Sequence, residues 1–283
     1  MRRLTDSEMF TARLWFPNLA LDRVVVTGEA DTRYNCVAWS LGIDDFFIWP
    51  WGLRLANKGE FNVLYRNYGY VPVGVAPQVA SFGFSPWTMT HSAVWDVVQG
   101  LSWESKCGAW LRITHTLQGL EHGPLYGDIQ GFYTDHPYVR VLARAMVTDR
   151  VRSARAGVEV RPDEAAFVRR RATAMPAGVR EYSEAAYARW KQDWSRPAML
   201  ASSAPWARAY SPAFLELLAL GTAVVPLLLE KLLDPDDFFA LVALELLLPP
   251  ALVASWTPDD ERMLLGEQGR AQATIRRWTE VYG

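Results

Sequence analysis

The order of hydrophobic and polar positions changes character about halfway along this chain of 283 residues. In the first half, Leu21 to Glu29 carries the β-branched run Val24-Val25-Val26, followed by the turn residues Gly28 and Asp31. Tyr34 to Leu41 reads as a short apolar helix with Gly42 as its stop. Phe61 to Asn67 has apolar residues at helical spacing, and Tyr68-Gly69-Tyr70-Val71-Pro72-Val73 reads as a helix end running into a strand. Three strand-like runs follow, Met89 to Val98, Ala109 to Thr114 and Tyr126 to Tyr133, punctuated by Gly100, Gly108, Gly119, Gly123 and Gly127. The pattern predicts a helix followed by an antiparallel meander.

From about Asp163 the chain is rich in Ala, Arg, Leu and Glu, and strand signals fade. Helices are predicted over Asp163 to Ala174, Ser183 to Trp194, Ser211 to Leu220, Thr222 to Leu233 and Asp236 to Leu248, separated by Gly221, Asp234-Pro235 and Pro249-Pro250. A closing helix is predicted over Thr257 to Tyr282, with Thr257 as N-cap and Pro258 as its first residue. The expected class is therefore α+β, an N-terminal helix packed on an antiparallel sheet, followed by an all-α domain. The expected boundaries are 1–147 for the first domain, 148–162 for a linker and 163–283 for the helical domain. The linker carries Arg150, Arg152, Arg155 and Arg161, read as a solvated connection, with a docking patch for an acidic surface as the alternative.

Composition narrows the function classes. Half of the residues are hydrophobic, enough for a large core or two medium ones. Lys and Arg number 29 against 31 Asp and Glu, so no general attraction to nucleic acid or anionic lipid is expected. The longest apolar stretch, Leu217 to Leu229, is interrupted by Gly221, Thr222 and Pro226, and falls short of a bilayer span. Two cysteines are too few for a disulfide framework, although a single bridge is open to them. The start, Met1-Arg2-Arg3-Leu4, has no apolar signal core. A cytoplasmic protein is expected, or one exported without such a signal.

The candidate chemistry centres on Cys36. Composition alone favours a small buried hydrophobe for a lone cysteine followed by Val-Ala-Trp. Its place in the first turn of a predicted helix changes that, because unpaired N–H groups there favour a thiolate and can bind an oxyanion. Asn35 is an extra donor beside it. Of four histidines, His91 sits in the strand-like Thr90-His91-Ser92-Ala93 and His115 ends the next strand-like run. His91 is the candidate base and His115 the group that orients it. Ser105 and Glu104, in Trp103-Glu104-Ser105-Lys106, compete with His115 for that third position, although the block also reads as a tight turn in which Ser105 and Lys106 satisfy backbone groups. His122 and His136 lie in Gly/Pro-rich loops and are expected at the surface. A zinc site from Cys36, His91 and His115 lacks close ligand spacing, and no metal or cofactor is expected. Asp44-Asp45 and Asp234 with Asp236-Asp237 read as turn and cap residues.

The order Asn-Cys on a helix, His on a strand and a polar group on the next strand resembles the papain-like clan of cysteine peptidases and amidases. It is closest to the cell-wall-peptidase and amidase branch, in which the third residue is often His. Residues 34–133 are also similar to an uncharacterised bacterial domain family. The matching pieces are Tyr34-Asn35-Cys36-Val37-Ala38-Trp39, Thr90-His91-Ser92-Ala93, Trp103-Glu104-Ser105-Lys106-Cys107-Gly108, His115, and Leu120-Glu121 with Tyr126-Gly127-Asp128-Ile129. That family usually has Leu where Cys107 stands, so Cys107 reads as a hydrophobic substitution. Between Leu41 and Trp87 the match is poor beyond Trp49-Pro50-Trp51-Gly52 and Gly69-Tyr70, which leaves substrate specificity open. The helical half, through Phe214 to Gly221 and Val225 to Leu232, resembles HEAT-like repeats. The resemblance implies a papain-like core and a Cys36–His91 pair within reach of each other. The expected activity is thiol-dependent hydrolysis or acyl transfer at an amide or isopeptide bond, on a protein or peptide substrate. The helical half would serve a protein partner. The alternative is a catalytically silent fold acting as a binding or regulatory module of the toxin or immunity type.

Overall fold

The computed structural model describes residues 1–50, 54–95, 103–135, 149, 151–209, 211–257 and 260–283. The class is α+β, and the chain divides into two compact units. The first comprises Met1–Pro50, Leu55–Asp149 and Leu200–Ala204; the second comprises Trp51–Arg54, Arg150–Met199 and Pro205–Gly283.

The first unit opens with helix α1 (Asp6–Trp15), which the sequence pattern did not predict. A capping box starts it: Thr5 Oγ1 accepts from the Glu8 N–H, and the Glu8 carboxylate accepts from the Thr5 N–H. Strand β1 (Val26–Gly28), helix α2 (Cys36–Ser40), helix α3 (Lys58–Asn67) and strand β2 (Tyr70–Pro72) follow. Then come β3 (Val79–Ser85), β4 (Thr88–Trp95), β5 (Trp103–Lys106), β6 (Arg112–His115) and β7 (Asp128–Asp135). All seven strands form one antiparallel sheet in the order β1-β6-β5-β4-β3-β7-β2. The predicted meander is present, and β3 and β5 extend it. The Trp103-Glu104-Ser105-Lys106 block is strand β5 rather than a tight turn. The end of the predicted strand Met89 to Val98 lies outside the described residues beyond Trp95, as does His136.

Ladder partners share a face of a sheet. Phe82 pairs with His91 and Ala80 with Ala93; Trp95 pairs with Trp103, Trp103 with His115 and Ser105 with Ile113. His91, Ser105 and His115 therefore lie on one face, the face whose Ala80, Phe82, Ala93, Trp103 and Ile113 build a core with Ala12, Trp15 and Phe16 of the α1 region. Ser92 and Glu104 lie on the opposite face. There Tyr65 of α3 donates its hydroxyl to Ser92 Oγ at 2.7 Å, and Trp39 Nε1 of α2 donates to Glu104 at 3.0 Å. The sheet is thus covered on both faces.

The second unit is helical among its described residues. Its principal helices are Pro162–Thr173, Ala177–Trp194, Pro212–Ala219, Val225–Lys231, Ala240–Leu247 and Gly266–Tyr282. The closing helix starts nine residues after the expected Thr257. Asp260 caps a short 3-10 turn instead, Glu261–Leu265, and Gly266 at φ 64° separates that turn from the helix. Pro258 lies outside the described residues. The span 148–162, expected as a solvated linker, is helical over 151–158, and Val158 is buried in a cluster with Ala254 and Trp256. Among the described residues no single helix is long and apolar enough to cross a membrane.

Candidate functional site

Helix α2 presents the candidate nucleophile. Asn35 is its N-cap, with Oδ1 accepting from Ala38 N at 3.1 Å, and Gly42, at φ 77°, follows its end. This places Cys36 in the first turn of the helix, as expected, at its first position. Asn35 is fully buried; its Nδ2 donates to Ile48 O at 2.8 Å and to Ser203 O at 3.4 Å.

Just ahead of the Val94–Glu104 pair that begins the β4–β5 ladder, the Ser92 N–H donates to Cys36 Sγ at 3.3 Å. The thiol therefore sits against the strand that carries His91, one residue away. Its second partner is the hydroxyl of Ser203, at 2.9 Å. Cys36 is wholly buried, and burial raises its pKa to about 11. The sequence had implied a lowered thiol pKa at a helix start. The Ser203 hydroxyl and the Ser92 and Val37 amides do favour the thiolate, but desolvation outweighs them. Helix α2 is also only five residues long, so its dipole is small.

On the sheet face that carries His91 runs a chain of three side chains. His91 Nε2 is 2.9 Å from Ser105 Oγ, and Ser105 Oγ is 2.9 Å from His115 Nε2. His115 Nδ1 is 2.7 Å from Thr116 O. His91 lies flat on Tyr126, with ring centroids 3.7 Å apart and planes 6° apart. Burial pushes both imidazoles down, His91 well below its usual range and His115 to about 4, so both are neutral near pH 7.

Neutrality and the Thr116 carbonyl together dictate every proton in this chain. A carbonyl only accepts, so His115 Nδ1 carries the hydrogen and Nε2 is a bare acceptor. Ser105 Oγ must then donate to His115, which leaves it to accept from His91 Nε2–H. His91 Nδ1 consequently carries a lone pair. It is buried with no hydrogen-bond partner among the described residues, and the other ring nitrogen is committed to Ser105, so the thiol and the imidazole are not joined by a hydrogen bond. The far end of the chain approaches solvent, because His115 and Thr116 line a cavity of about 220 Å³ with Leu19, Arg23 and Thr114.

The two sequence candidates for the third position besides His115 part company here. Ser105 stands directly between the histidines. Glu104 faces the opposite side of the sheet, where it accepts from Thr27 Oγ1 and Trp39 Nε1 and pairs with Arg112 Nε at 3.2 Å. It is excluded from His91 by strand alternation. Lys106 is buried as well, and its Nζ donates to the carbonyls of Asp31, Gly108 and Trp110 at 3.0, 2.8 and 2.6 Å. Its task is backbone satisfaction, the role weighed for it from sequence. Cys107 is free and buried in the hydrophobic core, with its pKa raised to about 12 by burial. His122 is at the surface, 2.6 Å from Asp128. Among the described residues no three His, Cys, Asp or Glu side chains cluster closely enough to hold a metal ion.

Sequence reasoning missed Ser203 entirely. It stands 167 positions from Cys36 in the small-residue run Ala201-Ser202-Ser203-Ala204, within the region assigned to the helical domain. That run signals a break between helices and nothing more. Residues Leu200–Ala204 belong to the first unit.

Comparison with known proteins adds one match. Residues 25–134 match a family described as a domain of unknown function, DUF7689. No curated protein and no solved structure matches this chain significantly.

Proposed function

We propose that the first unit is a papain-like thiol hydrolase or acyltransferase, held closed, in which Cys36 attacks a carbonyl and His91 is its base. The observation that supports this reading is the lone pair left on His91 Nδ1. Ser105, His115 and Thr116 O fix the protons so that a buried imidazole nitrogen without a partner stands one residue from the strand amide that touches Cys36 Sγ. An unpartnered buried polar atom costs about 1–3 kcal/mol. A hydrogen bond accepted from the Cys36 thiol would relieve that cost.

The chemistry then runs as follows. Sγ gives its proton to His91 Nδ1 and bonds the carbonyl carbon of an amide, whose oxygen takes the negative charge. The Asn35 amide and the Cys36 N–H stabilise that oxygen. The C–N bond breaks, His91 returns the proton to the departing amine, and a thioester remains on Cys36. Water or another amine then attacks the thioester carbon and loses a proton to His91, the C–S bond breaks to release the acid or new amide, and His91 returns the proton to the Cys36 thiolate. The substrate expected is a protein or peptide amide or isopeptide bond, and the helical unit would recognise a protein partner.

A second reading, a silent fold used as a binding or regulatory module, draws on the burial of the thiol and its raised pKa. An electrophilic thiol probe separates the two. In chain whose cover over Cys36 is displaced by Ala201→Arg, the enzyme reading predicts labelling of Cys36 well ahead of Cys107, with the selectivity lost in His91→Ala. Equal, slow labelling of both cysteines would favour the module.

A further inference from the structure

The segment that covers Cys36 is held as a ligand is held. Leu200 O, at the end of the short helix Pro197–Ala201, accepts from Ala109 N at 2.5 Å and Trp110 N at 3.2 Å. Ala201 O accepts from the Tyr126 hydroxyl at 2.7 Å. Ser203 O accepts from Asn35 Nδ2, and the Ser203 hydroxyl meets the sulfur. The carbonyls of Leu200, Ala201 and Ser203 are thus read by groups of the sheet unit. The side chains are small: Ala201, Ser203 and Ala204 are all but fully buried. Gly108 is shaped to the segment. Its φ is 58°, and a Cβ there would stand 2.3 Å from Leu200 O and 2.5 Å from the Ala201 carbonyl carbon.

Two features tie this seat to the site. Tyr126, which holds Ala201, is the ring on which His91 is stacked. Asn35, which holds the Ser203 carbonyl, is the residue next to the nucleophile, and its Nδ2 reaches that carbonyl at 3.4 Å. Cys36 is wholly buried with Ser203 Oγ 2.9 Å from Sγ, so no acyl carbon reaches the sulfur in this arrangement. Small residues and backbone recognition describe a groove that selects main chain and excludes bulk.

We propose that residues 200–204 are the resident peptide ligand of a groove over Cys36, and that the groove, once they leave, takes a short peptide segment with small side chains in their place. The claim rests on the thiol-hydrolase reading for its chemistry, and names that site's substrate class. The chain enters and leaves the segment through residues of the second unit, so release requires movement and no cleavage.

The test releases the segment in the full chain with Ala201→Arg, which no buried seat accommodates, and follows Cys36 alkylation by mass spectrometry. Cys36 is expected to react faster by on the order of tenfold or more, the ratio of open to closed chain. A synthetic peptide with the sequence of residues 199–205 should restore protection, and the same peptide with Trp at the Ser203 position should not. Peptide binding is also measured by fluorescence anisotropy in Ala201→Arg combined with Cys36→Ala. That readout does not depend on thiol chemistry. Binding without any effect of His91→Ala on alkylation would sink the enzyme reading and keep the groove. Alkylation dependent on His91 without peptide binding would sink the groove and keep the enzyme. If Ala201→Arg unfolds, the unmodified chain decides: the Ala109 amide, bonded to Leu200 O, must exchange hydrogen with the same opening equilibrium that limits Cys36 alkylation. Alkylation proceeding while that amide stays protected would overturn the proposal.

Discussion

His91 Nδ1 is the atom on which the reading turns, and its state is set, two side chains away, by a backbone carbonyl. Thr116 O makes His115 a donor at Nδ1, and Ser105 passes that choice on to His91. Ser105→Ala should therefore do two separable things. It leaves two buried imidazole nitrogens without partners, destabilising the fold by about 1–3 kcal/mol. It also frees the His91 tautomer, lowering the rate of Cys36 acylation by roughly a hundredfold in chain that is still folded. Nitrogen NMR checks the assignment: His91 should show an unprotonated Nδ1 and protonated Nε2, and His115 the reverse. The same tautomer on both rings would refute the relay. At this scale the sequence was informative about residue type and silent about role. His91 and His115 could be nominated from successive strand-like runs, and Ser105 from the block that precedes the second of them. Their order in the chain of bonds follows from diagonal pairing across β5 and β6, which needs the register. The local cue that implied a reactive thiol, a helix start, was outweighed by desolvation, a property of the whole packed surround.

Helix α2 shows why some elements were legible and others were not. Its boundaries are written locally, by Asn35 as cap and Gly42 at positive φ as stop. Strand β3 has small residues and Gly83, and Val79 to Phe82 are all buried, so no alternation marks it. Strand β5 is four residues long with three polar side chains, each satisfied by a different tertiary partner: Glu104 by Trp39, Ser105 by the histidines and Lys106 by three carbonyls. Such a strand has the composition of a turn. Helix α1 did carry its signal, the Thr5–Glu8 capping box. A prediction belongs to α2. Asn35 is at once its cap, a tether to Ile48 and a partner of Ser203. Asn35→Ala should lower stability by about 2 kcal/mol in denaturant titration. Asn35→Asp should keep the cap, because a carboxylate accepts from Ala38 N, but lose both donated bonds. An unchanged midpoint in Asn35→Ala would contradict the assigned role.

Across the molecule, burial of the relay makes acid its weakness. His115 has its pKa lowered from the usual 6.5 to about 4 in the folded chain, and His91 lies lower than its usual value too. Below pH 6.5 the unfolded chain takes up protons that the folded chain refuses. Stability is therefore full above pH 6.5 and falls as pH drops toward 4, by up to about 1.4 kcal/mol per pH unit for each histidine. Urea midpoints measured from pH 7 to 4.5 should show that slope, and His115→Gln should reduce it by about half. A flat profile would mean that the imidazoles are not held neutral. The largest feature that no sequence pattern announced is also at this scale: Ser203 reaches Cys36 from 167 positions away, across a boundary where composition placed a separate helical domain. Nothing local in a run of small residues encodes its destination.

Cys36 acting as a nucleophile requires that it can carry an acyl group. Amide and ester acyl donors offered to the chain released by Ala201→Arg, followed by intact-mass measurement, test this directly. The prediction is a single acyl adduct on Cys36, discharged by hydroxylamine, absent in Cys36→Ala and strongly reduced in His91→Ala. No adduct on folded, released chain, or an adduct indifferent to His91, would contradict it.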